Sequence, residues 1–126
     1  MLMAQLGTPW AELIAGGREL FERRQRRLGP NHVDTFEAQG FYATTLMHGG
    51  HLEEAEAVSL DLHERMLAIH GIGHYETYRS ISLLWDLAEQ QKDPVAMRKW
   101  ADMLRGSFLE EDVERQMTEK GLGRVD

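Results

Sequence analysis

The sequence predicts an all-α protein built from repeated antiparallel helix pairs, and three observations carry that prediction. The chain matches itself at a shift of 42 residues: Leu28-Gly29-Pro30-Asn31-His32-Val33-Asp34-Thr35 lines up with His70-Gly71-Ile72-Gly73-His74-Tyr75-Glu76-Thr77. Gly29 meets Gly71, His32 meets His74, acidic Asp34 meets Glu76, and Thr35 meets Thr77. A fixed period between roughly 20 and 50 residues is the mark of a repeat array. Glycine and proline also cut the chain into blocks in which apolar residues return every three or four positions, the spacing of a helix face. No stretch alternates apolar and polar residues as a half-buried strand does.

The first block covers residues 8–28. Thr8 is a good N-cap, and Pro9 fits the first helical position, where a missing N–H costs nothing. Trp10, Leu13, Ile14, Leu20 and Phe21 form its apolar face. Gly16-Gly17 should weaken it, by roughly 1 kcal/mol per glycine relative to alanine, and Gly29-Pro30 stops it. The second block opens at the candidate caps Asp34 and Thr35, carries Tyr42, Ala43 and Leu46 with Phe36 and Phe41 beside them, and ends at Gly49-Gly50. The third, residues 52–70, steps through Leu52, Ala55, Ser59, Leu62, Met66 and Ile69. Its early acids Glu53, Glu54 and Glu56 suit the positive end of a helix dipole.

The fourth block, residues 76–91, aligns Tyr78, Ile81, Leu84, Trp85 and Ala88. Asp93 then caps a fifth helix that opens at Pro94 and lines up Met97, Trp100, Ala101, Leu104 and Phe108. Ser107 with Glu110 makes a capping box, which predicts a sixth helix over residues 108–120 with a thin apolar side of Leu109, Val113 and Met117.

Composition narrows the class. A chain of 126 residues, 42% hydrophobic and 28% charged, suits a single folded domain spanning residues 1–126. Cysteine is absent, which removes disulfides and thiolate zinc sites and fits a reducing compartment. The first residues lack the pattern of a signal peptide, and no stretch reaches the ~20 apolar residues of a membrane span, so a cytoplasmic location without membrane contact is expected. A net charge of −7 disfavours nucleic acid as a partner, since phosphate contacts dominate such binding. Residues 1–28 are nonetheless net basic and residues 107–126 net acidic; these ends could attract each other or their copies in a second chain.

Antiparallel helix pairs at this period resemble tetratricopeptide repeats, in particular the 42-residue kinesin-light-chain type. That type has a helix A, a short turn, a helix rich in EEAE, and a loop close to L-G-P-[DN]-H-P-[DE]-T. Here the turn and second helix read Gly50-His51-Leu52-Glu53-Glu54-Ala55-Glu56-Ala57, and the loop is Leu28 to Thr35. The resemblance covers about residues 8–106 and implies about two and a half repeats. Residues 8–28 would be the second helix of a partial repeat, 34–70 a full repeat and 76–106 a degenerate one, followed by a C-terminal helix at 107–120. The small helix A residue that allows close packing is Ala43 in the full repeat and bulky Trp85 in the last; the small helix B position changes from Ala55 to Met97.

By the same resemblance, helix A residues line a concave surface that grips a partner protein or peptide. Matching positions are Glu37, Gly40, Thr44, Met47 and His48, then Arg79, Ser82, Asp86, Glu89 and Gln90. The Lys/Asn/Arg set that clamps a C-terminal carboxylate is missing. The paired asparagines that hold a peptide backbone are replaced by Gly40-Phe41 and Ser82-Leu83. A protein–protein interaction scaffold is therefore the expected function, with the ligand left open. The alternative is self-association or docking through terminal faces, with Trp10 at one end and Leu109, Val113 and Met117 at the other.

A second alternative is a ligand- or metal-responsive regulatory domain. His48 and His51 flank one turn and His70 and His74 the next loop. Zinc, however, needs three or four converging ligands, and no H-E-x-x-H spacing occurs; no metal or cofactor is expected. His32 and His74 are accounted for as structural loop residues. Asp86 and Glu89 share a helix face with His48 in reach, but no activated nucleophile or phosphate loop accompanies them, so catalysis is not expected. Arg23-Arg24-Gln25-Arg26-Arg27 reads as a solvated helix C-terminus matched to its dipole, and the acids of residues 110–114 as the first turn of the last helix.

Overall fold

The computed structural model of the chain describes residues 3–107. Five helices account for nearly all of them: α1 (Met3–Leu28), α2 (Val33–His48), α3 (Leu52–His70), α4 (Tyr75–Gln90) and α5 (Pro94–Ser107). No strand occurs among the described residues. No helix among them is long and apolar enough to cross a membrane. The helix expected at residues 108–120, with Leu109, Val113 and Met117, lies outside the described residues.

Two starting points differ from the expected ones. α1 begins at Met3, before Thr8, and runs through Pro9, which forfeits one intrahelical bond at the proline without ending the helix. α2 is capped by His32, ahead of Asp34 and Thr35: the His32 Nδ1 accepts from the Asp34 N–H at 3.0 Å. An imidazole nitrogen can serve an orphan helix N–H in the same way as a serine or aspartate oxygen.

The chain divides into two compact units, Met1–Leu62 and His63–Asp126. In the first, α1 packs along α2. Gly16-Gly17 does not break α1, and Gly17 is buried against α2, where a Cβ would stand 3.4 Å from the Tyr42 Cα and from the Phe41 ring. Ile14, Phe36, Ala38, Tyr42, Ala43, Leu46, Met47, Ala55 and Leu62 form the apolar interior. The buried Gln39 amide crosses to α3, donating to the Val58 carbonyl at 3.2 Å and to the Asp61 carboxylate at 2.8 Å.

In the second unit α4 packs on α5, and Met66, Ile81, Leu84, Leu87, Ala88 and Trp100 are buried. Trp85, the counterpart of fully buried Ala43, is only half-buried. Ile69, expected on the apolar line of α3, is exposed. The α5 start is as its sequence predicts: Pro94 opens the helix and the Asp93 carboxylate accepts from the Ala96 N–H at 3.1 Å.

The 42-residue period recurs in the hydrogen bonds of both kinds of connection. After α1, the Gly29 N–H donates to Gln25, His32 caps Asp34, and the Thr35 hydroxyl donates to the Gly29 carbonyl at 2.7 Å. After α3, Gly71 donates to Leu67, His74 caps Glu76, and Thr77 donates to Gly71 at 2.9 Å. Gly29 and Gly71 both take positive φ, at 93° and 79°, the left-handed conformation that ends a helix and suits glycine.

The tight turns match just as closely, although their sequences do not. Gly49, Gly50 and His51 donate to Thr45, Met47 and Leu46; Gln91, Lys92 and Asp93 donate to Leu87, Glu89 and Ala88. Gly50 has φ 86° and Lys92, in its place, φ 56°. The backbone keeps the period where the side chains have lost it.

Candidate functional site

The helix A positions fall at equivalent places in the two units: Glu37 and Arg79, Gly40 and Ser82, Thr44 and Asp86, Met47 and Glu89. On α2, Glu37 and His48 are exposed and Gly40 and Thr44 are partly so. Met47 is 6% exposed and belongs to the interior, so it offers no open contact. On α4, Arg79, Asp86, Glu89 and Gln90 are exposed and Ser82 is half-buried.

Electrostatics differ between the two surfaces. Glu37 is tethered: Arg24 of α1 donates to its carboxylate at 3.3 Å and to the Asp34 carbonyl at 3.0 Å. One period later Met66 replaces Arg24 and Arg79 replaces Glu37, so this ion pair has no counterpart, and Arg79 makes none among the described residues. Partial burial, and after it the charge of Glu89 one turn away, raise the Asp86 carboxyl above its ordinary value. The α4 surface therefore presents a cation without an ion pair among the described residues and, beside Glu89, an exposed carboxyl whose charged form is disfavoured, groups that gain from a partner's charge.

Trp10 of α1 is 37% exposed and meets the His48 ring edge-on, with centroids 5.7 Å apart. The other expected association residues, Leu109, Val113 and Met117, lie outside the described residues. The described residues hold no group of three or more His, Asp or Glu side chains placed to share a metal ion. His48 is instead engaged with Trp10, and the His70 and His74 rings stack at 4.2 Å.

Two polar clusters went unnoticed in the sequence. Arg18 of α1 donates to the Tyr42 hydroxyl at 2.8 Å, and that hydroxyl donates to Glu54 of α3 at 2.9 Å. Arg18 also reaches Glu54 directly at 3.2 Å, and Phe21 stacks on the Tyr42 ring. The hydrogen bond from Tyr42 is the main reason the Glu54 carboxyl sits below its ordinary range, and burial the main reason the Tyr42 phenol sits above its own. The cluster ties three helices at one point, and separations of 24 and 12 residues leave it no local sequence signal.

The second cluster is buried in the other unit. The Ser80 hydroxyl donates to the Thr77 carbonyl at 2.7 Å, so its oxygen accepts from the His63 Nδ1–H at 3.0 Å. The His63 ring meets Trp100 edge-on at 5.6 Å. Burial lowers the His63 imidazole below its ordinary value, as a low-dielectric site disfavours the cation.

Compared with protein-family models, with curated proteins and with solved structures, the chain finds no match.

Proposed function

We propose that this chain is a helix-pair repeat scaffold of the tetratricopeptide kind that binds a partner protein or peptide through the open faces of α2 and α4. The observation that carries the reading is the 42-residue recurrence of the caps and turns, down to the atoms that donate and accept. Two copies of one helix-pair design in series are what a repeat array consists of, and such arrays present helix faces to partners. The open residues of α4 support the same reading, since Arg79, Asp86 and Glu89 are charged and contribute nothing visible to the interior.

The test is selection of peptides from a random display library on the immobilised 126-residue chain. Candidate binders are then measured against R79E, D86R and E37R. The expected result is a peptide whose affinity drops about tenfold or more on R79E or D86R, equivalent to ~1.4 kcal/mol, while the thermal midpoint holds. Peptides that bind all three variants as well as the parent would refute the assignment of these faces.

A further inference from the structure

The 42-residue register exposes an imbalance at α1. On α3, Val58 and Leu62 face α2: Gln39 bonds the Val58 carbonyl, and Leu62 lies 3.9 Å from a Cβ placed at Gly40. One period later, on α5, the matching residues are Trp100, which is buried, and half-buried Leu104. One period earlier, on α1, they are Gly16 and Leu20, with Leu13 standing where α3 has Ala55 and α5 has Met97. Ala55 is fully buried, yet Leu13 is 45% exposed. Gly16 is exposed, with nothing within 4 Å of its Cβ position. The stripe that receives a helix on α3 and α5 is open on α1 at Leu13 and Gly16, with Leu20 half-buried as Leu104 is.

We infer that this stripe pairs antiparallel with the same stripe of a second copy of the chain, across a two-fold axis at Gly16-Gly17. The face is complementary to itself under that operation. Leu13 and Leu20 lie equally far on either side of the axis, so each Leu13 meets a Leu20 of the other copy. Gly16, lacking a side chain, lets the two backbones approach closely at the axis. Charge fits as well. Glu12 lies on the N-terminal half of the exposed flank and Arg23, which pairs with Glu19 of its own helix at 2.6 Å, on the C-terminal half, and antiparallel pairing brings Glu12 to within about one helical turn of the Arg23 of the other copy, where it can share that cation. Half-exposed Phe41, packed against Gly17, and Trp10 extend the apolar area at its edges. A parallel pair would set Glu12 beside Glu12 and Arg23 beside Arg23. A single helix stripe is small beside the roughly 1,600 Å² of a standard interface, so the dimer dissociates on dilution.

The chain contains no cysteine, which makes the test direct. Gly16→Cys carries the sole thiol at the axis, and Ala57→Cys, on exposed α3 surface, is the control. Sedimentation velocity from low micromolar to several hundred micromolar should show a monomer–dimer equilibrium, and mild oxidation should cross-link G16C but not A57C. L13D, on an exposed side chain, should weaken dimerisation tenfold or more with an unchanged helical circular-dichroism spectrum. E12R and R23E should each weaken it, and the double variant should recover. A monomer at all concentrations overturns the inference. A dimer that ignores L13D and leaves G16C uncross-linked overturns it too, because the contact then lies on another face. The α4 peptide variants leave this measurement untouched, so the two readings fail separately.

Discussion

The hydroxyl of Thr77 is the sharpest place to test whether the repeated loop holds the fold together. Thr77 is fully buried, and its Oγ1 donates to the Gly71 carbonyl at 2.9 Å, with the Met66 carbonyl at 3.4 Å. Thr77→Val keeps the shape and the β-branch and deletes only that donor. A net hydrogen bond is worth about 1 kcal/mol, and an acceptor left dry adds up to ~2 more. Gly71 is half-buried, so water recovers part of the second contribution and the expected loss is about 1–2 kcal/mol. For a chain of this length that is a fall of roughly 3–8 °C in Tm. Thr35→Val should cost the same within ~0.5 kcal/mol, because Thr35 bonds Gly29 at 2.7 Å and Arg24 at 3.3 Å in the same arrangement. The assay is urea unfolding followed by circular dichroism, with the slope checked for constancy. Losses below ~0.5 kcal/mol at both sites would refute the claim that these hydroxyls lock the loops. A large loss at one site alone would refute their equivalence.

Three further outcomes are expected. Lys92→Gly should stabilise the protein by up to ~1 kcal/mol, since Lys92 sits at φ 56° where a side chain costs about that much; Gly50→Ala should destabilise by a similar amount, both read as shifts in Tm. Ser59→Ala should leave stability unchanged or raise it by ~1 kcal/mol, because the Ser59 hydroxyl is buried without a partner among the described residues; a clear loss in urea unfolding would refute this. His63 has a folded pKa depressed from about 6.5, so the unfolded chain takes up the proton first. Its contribution is complete above 6.5 and is lost as the pH falls through the interval below. Stability measured from pH 7.5 to 5 should drop less steeply in His63→Gln than in the parent.

The helices were legible because each boundary has a local chemical cause. Gly29, Gly71, Asp93 and Pro94 act within a few residues of themselves, and their positions fix where α1, α3 and α5 end or begin. The loop histidines read as structural, but Asp34 and Thr35 read as the caps of α2 in place of His32, because a histidine cap lacks the statistical weight of Asp or Thr. Gly17 read as a defect, since a sequence shows the missing side chain and not the Tyr42 backbone that uses the space. Met47 counts as an open groove residue only by the resemblance, which carries positions over without showing which of them this chain turns into its interior. The Arg18–Tyr42–Glu54 cluster needs three helices in place before any of its bonds exists, and spacing along the chain cannot announce it.

What the two helix pairs share and where they part bears on how the proposed partner surface would work. The turn at Gly49-Gly50-His51 and the turn at Gln91-Lys92-Asp93 make the same three backbone bonds with no residue in common, so the pair geometry is set by helix packing and tolerates Lys92 in a strained conformation. The outward positions are free to diverge, and they do so in charge: Glu37 is answered by Arg79, and neutral Thr44 by acidic Asp86. Matched backbones carrying opposite charges give two surfaces of different preference. Glu37 already has Arg24 as a partner at 3.3 Å, whereas Arg79 and Asp86 make no ion pair among the described residues. A partner's charges therefore gain more on α4 than on α2, and salt should weaken R79-dependent binding more steeply than E37-dependent binding. Equal salt dependence of the two would place the decisive contacts on the uncharged positions Thr44 and Ser82.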